Sequence, residues 1–263
     1  MKKKYGTPRH TEILPVDQLE ETAPAEDDLP VAPFHLFLSR GGYFKKISPQ
    51  SLRMSGEQKY KEGDGPAFHW EADTGAELLL FTNRQQCYKT FVRDFDDTKA
   101  SVLGEYLPAK LGMDAGENVI FAALPGKDYA GTLLFFFENG QAARVEMKSY
   151  QTASNRRKPT GASSDKSPLV CIRRPDEECE LAVYSNEPRC LIFHTALLAP
   201  KTTRTTQGVA VMTLKPKYHL ETVKALEETA ITNFSRCRVR SLPAAGALVR
   251  EEDAEEQQLN LLD

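Results

Sequence analysis

The chain has little of what marks a metal site, a membrane protein or a self-contained enzyme. Its five cysteines (Cys87, Cys171, Cys179, Cys190 and Cys237) are an odd, scattered set with no C-x-x-C pair, which argues against zinc and against a disulfide framework. Cys87 and Cys190 stand beside apolar neighbours and read as small core residues, which fits a reducing compartment. Long apolar runs are missing. Leu133 to Phe137 is among the longest, far below the roughly 20 residues of a membrane span, and the basic start MKKK leads into polar residues. The expectation is a cytoplasmic protein with neither signal peptide nor anchor.

Catalytic patterns are missing too. The five histidines (His10, His35, His69, His194 and His219) are dispersed and form no H-E-x-x-H. Residues 161–167 superficially match a phosphate-binding loop, but Asp165 stands where that motif needs its second glycine and Thr160 where it needs the first. A carboxylate there would repel a phosphate. G-x-S-x-G is absent, and Asp96 with Asp97 reads as a turn rather than an acid–base pair. The chain reads as a binder with no catalytic set of its own.

What is present is a repeat. Leu36 to Ile47 is an apolar run, a polar and glycine-rich turn and a second run ending on basic side chains, the pattern of a β-hairpin. Leu78 to Thr90, Leu133 to Val145 and Leu181 to Phe193 have the same form. Aligned on Ser39, Thr82, Phe137 and Ser185, they are spaced by 43, 55 and 48 residues, the length of a four-stranded unit. One such unit cannot bury its apolar face alone, so copies must pack on each other. Each hairpin is followed by a turn-rich basic loop and then a further strand: 67–72, 118–124, 168–173, and 209–214 with 218–226. Ser235 to Arg240 alternates like a strand, with arginine on one side, and is a candidate to close the last unit; four units are clear, and a degenerate fifth is left open.

Charge is unevenly spread. Residues 1–30 carry four basic and seven acidic groups, and residues 251–263 carry six acidic and no basic ones; with a total of −3, residues 31–250 are left at +6. The domains expected are 1–30 (a tail and an acidic linker), 31–250 (an all-β repeat body) and 251–263 (an acidic tail). Cationic loops at one place in every unit would add their fields toward a long polyanion, and the acidic tail would compete with it.

The residues Lys4-Tyr5-Gly6, Arg9 and Thr11-Glu12-Ile13, the run Leu38 to Lys46, Leu80 to Asn83 and Thr206 to Met212 are similar to the C-terminal domain of the A subunit of bacterial type IIA topoisomerases, DNA gyrase and topoisomerase IV. The resemblance runs from about Lys3 to Leu226. It implies a β-pinwheel, a propeller-like disc whose basic rim binds and bends double-stranded DNA. It also implies a complex with an ATPase B subunit, joined to the rest of the A subunit, with no membrane. ATP and Mg2+ would belong to other regions of that complex, leaving this chain without a cofactor. The family's cleaving tyrosine lies upstream of the K-Y-G tail, so no tyrosine here inherits that role.

Gyrase carries a Q-R-R-G-G-K-G box after its first hairpin; here that loop reads Ser55 to Gly63, with Glu57, Glu62 and no paired arginines. The departure favours relaxation and unlinking over supercoiling. The DNA contacts expected are Lys59, Lys61, Lys99, Arg156, Arg157, Lys158, Lys201 and Arg204, with Lys45 and Lys46 in support. The rival reading is a propeller-like protein-interaction scaffold that binds no DNA.

Overall fold

A computed structural model describes residues 32–152 and 161–250, and the described residues from Pro33 onward form one unit. The first repeat supplies β1 (Pro33–Ser39), β2 (Tyr43–Ile47), α1 (Pro49–Met54) and β3 (Pro66–Asp73). The second supplies β4 (Glu77–Thr82), β5 (Cys87–Phe91), β6 (Glu105–Tyr106), α2 (Leu107–Lys110) and β7 (Val119–Ala123). The third gives β8 (Thr132–Phe137), β9 (Gln141–Glu146) and β10 (Leu169–Arg173). The fourth gives β11 (Glu180–Ser185), β12 (Arg189–His194), β13 (Pro200–Lys201), β14 (Val209–Ala210) and β15 (Leu220–Ala225), followed by α3 (Phe234–Cys237) and β16 (Ala247–Leu248).

The repeat alignment holds to the residue. Ser39, Thr82, Phe137 and Ser185 each end the first strand of a hairpin. The next residue in every case, Arg40, Asn83, Glu138 or Asn186, donates its backbone N–H to the carbonyl of Gly65, Asn118, Pro168 or His219, just ahead of the third strand. Each sheet is therefore third strand, first strand, second strand, in antiparallel order. Four small sheets result, arranged like the blades of a propeller.

Apolar residues alternate or run continuously along the central strands because blade faces pack against neighbouring blades. Leu79, Phe81 and Phe121 of the second blade meet Leu133, Phe135 and Val145 of the third; Leu134 and Phe136 meet Leu181, Val183 and Phe193 of the fourth. Phe81, Phe135 and Tyr150 interlock with ring centroids 5.1 to 6.4 Å apart. Cys87 and Cys190 are fully buried, and burial pushes the Cys87 thiol up to about 12, so it is an inert core group. The third strands β3, β7, β10 and β15 line a common cleft of about 1180 Å³, which places the second strands toward the perimeter.

Two expectations are corrected here. A second-strand edge with unpaired N–H and C=O groups needs a partner; in the first and third blades it comes from the following repeat, and in the fourth from the segment after it. β6 pairs with β2, β13 and β14 pair with β9, and β16 pairs with β12. β6 and the pair β13 and β14 therefore serve the blade before their own, while among the described residues the β5 edge of the second blade receives no such strand. The described residues after Glu228 do not build a fifth blade either. Ser235 to Cys237 lie in the short helix α3, and Ile231, Cys237, Phe234 and Val249 cover the outward face of the fourth blade over Ala182, Cys190 and Ile192.

Candidate nucleic-acid interface

The perimeter of the first blade is built around a buried ammonium. Lys45 is 2 % exposed, and its Nζ donates to the Lys59 carbonyl at 2.7 Å, the Ala100 carbonyl at 3.0 Å and Gln58 Oε1 at 3.3 Å, with the Tyr60 ring 5.4 Å away. Every acceptor is neutral, and burial lowers the pKa of this lysine. Lys45 thus clasps two loops from different repeats, 55–65 and 95–104. A backbone bond from Lys59 N–H to Ala100 O, 2.9 Å, joins the same loops directly.

Those loops present Lys59, Lys61 and Lys99, all exposed and none in an ion pair among the described residues. Lys61 shares an open groove of about 580 Å³ with Arg40, Tyr43 and Tyr106 at the tip of the first hairpin. The tip is tight: Asp64 Oδ1 accepts the N–H groups of Gly41 and Gly65 at 2.8 and 2.7 Å, and a Cβ on Gly41 would lie 2.6 Å from the Asp64 carboxylate. Burial works against the ionised Asp64, but those N–H groups, the Ser39 hydroxyl and the Arg40 charge hold its carboxyl below the usual range.

The other expected contacts separate into three groups. Lys201 is exposed on β13, along the perimeter of the third blade. Arg204 is half-buried and turned inward, its guanidinium carbon 5.9 Å from the centre of the Tyr150 ring and its Nη1 buried without a hydrogen-bond partner. Arg156, Arg157 and Lys158 lie outside the described residues. The supporting role given to Lys45 and Lys46 does not fit their placement. Lys45 is consumed as described, and Lys46, 6 % exposed, is held 2.9 Å from Asp97 and over the Phe34 ring. An alternating strand sends successive side chains to opposite faces, and in a blade packed or covered on both sides the two neighbouring lysines are both enclosed.

Residues missed from sequence include Arg40 and Arg53, exposed on the first blade, and Arg236 and Arg240, exposed beside the covering segment of the fourth. The arginine-rich run from Ser235 to Arg240 is the signal for the last two, masked by its likeness to a strand. Several other surface cations are neutralised locally: Lys110 by Glu105, Lys215 by Glu187, and Arg238 by both oxygens of Glu180. His35 and His69 stack at 5.7 Å, with Phe37 on His69 at 4.3 Å, and no group of three or more His, Cys, Asp and Glu suited to a metal occurs among the described residues. None of the described helices is long and apolar enough to cross a membrane.

This arrangement has known counterparts among solved structures. A crystal structure of the C-terminal domain of DNA topoisomerase IV superposes with a TM-score of 0.74 over 84 % of this chain and 73 % of that one, at 20 % identity. The E. coli ParC C-terminal domain gives 0.62 over 84 % and 95 %, at 14 % identity, and a DNA gyrase A C-terminal domain 0.52 over 84 % and 80 %, at 16 %. Among curated sequences, the A subunit of DNA topoisomerase 4 from Bacillus subtilis is 27 % identical over 57 % of this chain. Its Staphylococcus aureus counterpart is 24 % identical over 87 %. This chain is similar to the C-terminal domains of type IIA topoisomerase A subunits. No family model matches it. It spans 19 % and 29 % of the length of those two relatives. The fold is the β-pinwheel that the resemblance implied, with four blades among the described residues, the first joined to the second and the third to the fourth by exchanged perimeter strands.

Proposed function

We propose that this chain binds and bends double-stranded DNA as the C-terminal domain of the A subunit of a type IIA topoisomerase, capturing the DNA that flanks the cleavage site for ATP-dependent strand passage. The observation that carries this reading is the placement of Lys59, Lys61, Lys99 and Lys201 on exposed perimeter segments, without ion pairs among the described residues. Binding of this kind rests on phosphates and reads few base edges. Curving a 20–30 bp site through 40–90° costs on the order of 1–6 kcal/mol, so a body of modest positive charge binds modestly, and tethering to the rest of the enzyme supplies effective concentration. The partners proposed are the remainder of the A subunit and the ATPase B subunit, and chemistry on DNA belongs to them.

The loop from Ser55 to Gly63 supports unlinking and relaxation over supercoiling. Glu57 and Glu62 are exposed there, and their charge opposes the tight wrapping that a paired-arginine box would favour. The test is to relax closed circular DNA with a separate topoisomerase in the presence of this chain. Bound but unwrapped DNA relaxes to the same linking number as DNA relaxed without the chain. A large, stoichiometric linking-number change would replace this reading with a gyrase-like one, and no binding to duplex at low salt would favour the protein-interaction scaffold.

A further inference from the structure

The post-hairpin segment of the first repeat departs from the other three. Ten residues beyond the aligned positions stand Pro49, Val92, Met147 and Thr195. In repeats two to four that residue opens a one-turn 3-10 segment and is fully or almost fully buried, plugging the core. In the first repeat Pro49 instead opens α1, a helix that buries none of its residues. No described blade precedes the first, so this segment has no described second-strand edge to pair with.

The helix is nevertheless well fixed. Ser48 caps it by accepting the Ser51 N–H, proline holds its first turn, and the Ser55 N–H closes onto the Ser51 carbonyl. What it presents is Met54, 84 % exposed, the most exposed large apolar side chain among the described residues. Arg53 is exposed beside it, and Lys59 and Lys61 follow within seven residues. A lone apolar side chain held out beside Arg53, with the exposed Lys59 and Lys61 interleaved with Glu57 and Glu62 just beyond it in the chain, suits a single point of entry between the phosphates into the apolar base stack rather than continuous wrapping.

Resting on the DNA-bending reading above, we propose that Met54 is an apolar wedge that enters a base step of the bound duplex and sets the bend. An unbranched thioether suits this role, because it adapts to the gap it opens. The rest of the first blade's perimeter would supply the phosphate contacts on both sides.

The test uses the full chain and duplexes of about 30 bp carrying 2-aminopurine at successive steps and a donor–acceptor dye pair at the ends. Binding of the native chain raises 2-aminopurine fluorescence at one or two steps and shortens the end-to-end distance. Met54→Gln abolishes the fluorescence rise, straightens the duplex and weakens affinity at least threefold, and Met54→Leu restores all three. The slope of log affinity against log salt stays unchanged in both variants, because no charge is altered. Native-like fluorescence and bend in Met54→Gln would overturn the wedge while leaving DNA binding intact, as would a Met54 that serves only a protein partner. Failure of the native chain to bind duplex at all would overturn the underlying reading as well.

Discussion

Replacing Lys45 with methionine separates a structural clasp from a DNA contact. The substitution keeps the length of the side chain and removes three donated hydrogen bonds, two of them to backbone carbonyls of loops from different repeats. A buried carbonyl left without a donor costs about 1–3 kcal/mol, while removing a buried charge returns part of its desolvation cost. The net is a loss of about 2 kcal/mol, which for a domain of this size lowers Tm by roughly 4–8 °C. Freed loops would also present Lys59 and Lys99 less rigidly, lowering affinity for duplex DNA at fixed salt with a small change in salt slope. Burial lowers the folded-state pKa of Lys45, so between that value and the ordinary lysine value the unfolded chain holds the extra proton. The stability of the native chain relative to Lys45→Met therefore rises with pH across that window. Thermal denaturation across alkaline pH and filter binding across salt measure both effects. An unchanged Tm combined with a salt slope flattened by about one would refute the clasp and make Lys45 a phosphate ligand.

Three further outcomes follow from the same geometry. Gly208 has φ of +76°, and a Cβ there would overlap the Ala142 carbonyl oxygen, so Gly208→Ala should displace β14 and cost about 2 kcal/mol or more in chemical denaturation. Replacing Arg156, Arg157 and Lys158 together by alanine should flatten the salt slope by roughly 2–3, and an unchanged slope would remove them from the interface. Deleting residues 251–263 takes away six carboxylates and should tighten DNA binding at low ionic strength, with the gain vanishing as the screening length falls below about 10 Å. Equal affinities at low salt would dismiss a competing tail.

The hairpins are legible because their signals are local. Apolar runs flanking Arg40-Gly-Gly or Glu138-Asn-Gly fix a turn within a few residues, and Ser39, Thr82, Phe137 and Ser185 share one structural position. The exchange of perimeter strands is not legible, since β6, β13, β14 and β16 are two residues each and carry no alternation to read. The same missing information misplaces two lysines. Charge alone reads adjacent Lys45 and Lys46 as surface, but the loop 95–104 of the following repeat covers them and supplies polar atoms to both, Ala100 O and the Asp97 carboxylate. Arg240 escapes notice because its alternating run reads as a strand, whereas Phe234 to Cys237 form the short helix α3.

The most direct measurement is the salt dependence of duplex binding by the native chain and by a variant with Lys59, Lys61, Lys99 and Lys201 all changed to alanine. Exposed perimeter lysines that meet phosphates should each contribute about 0.9 to the slope, so the variant's slope should be shallower by roughly three to four. Identical slopes with both proteins folded would contradict a DNA-binding perimeter.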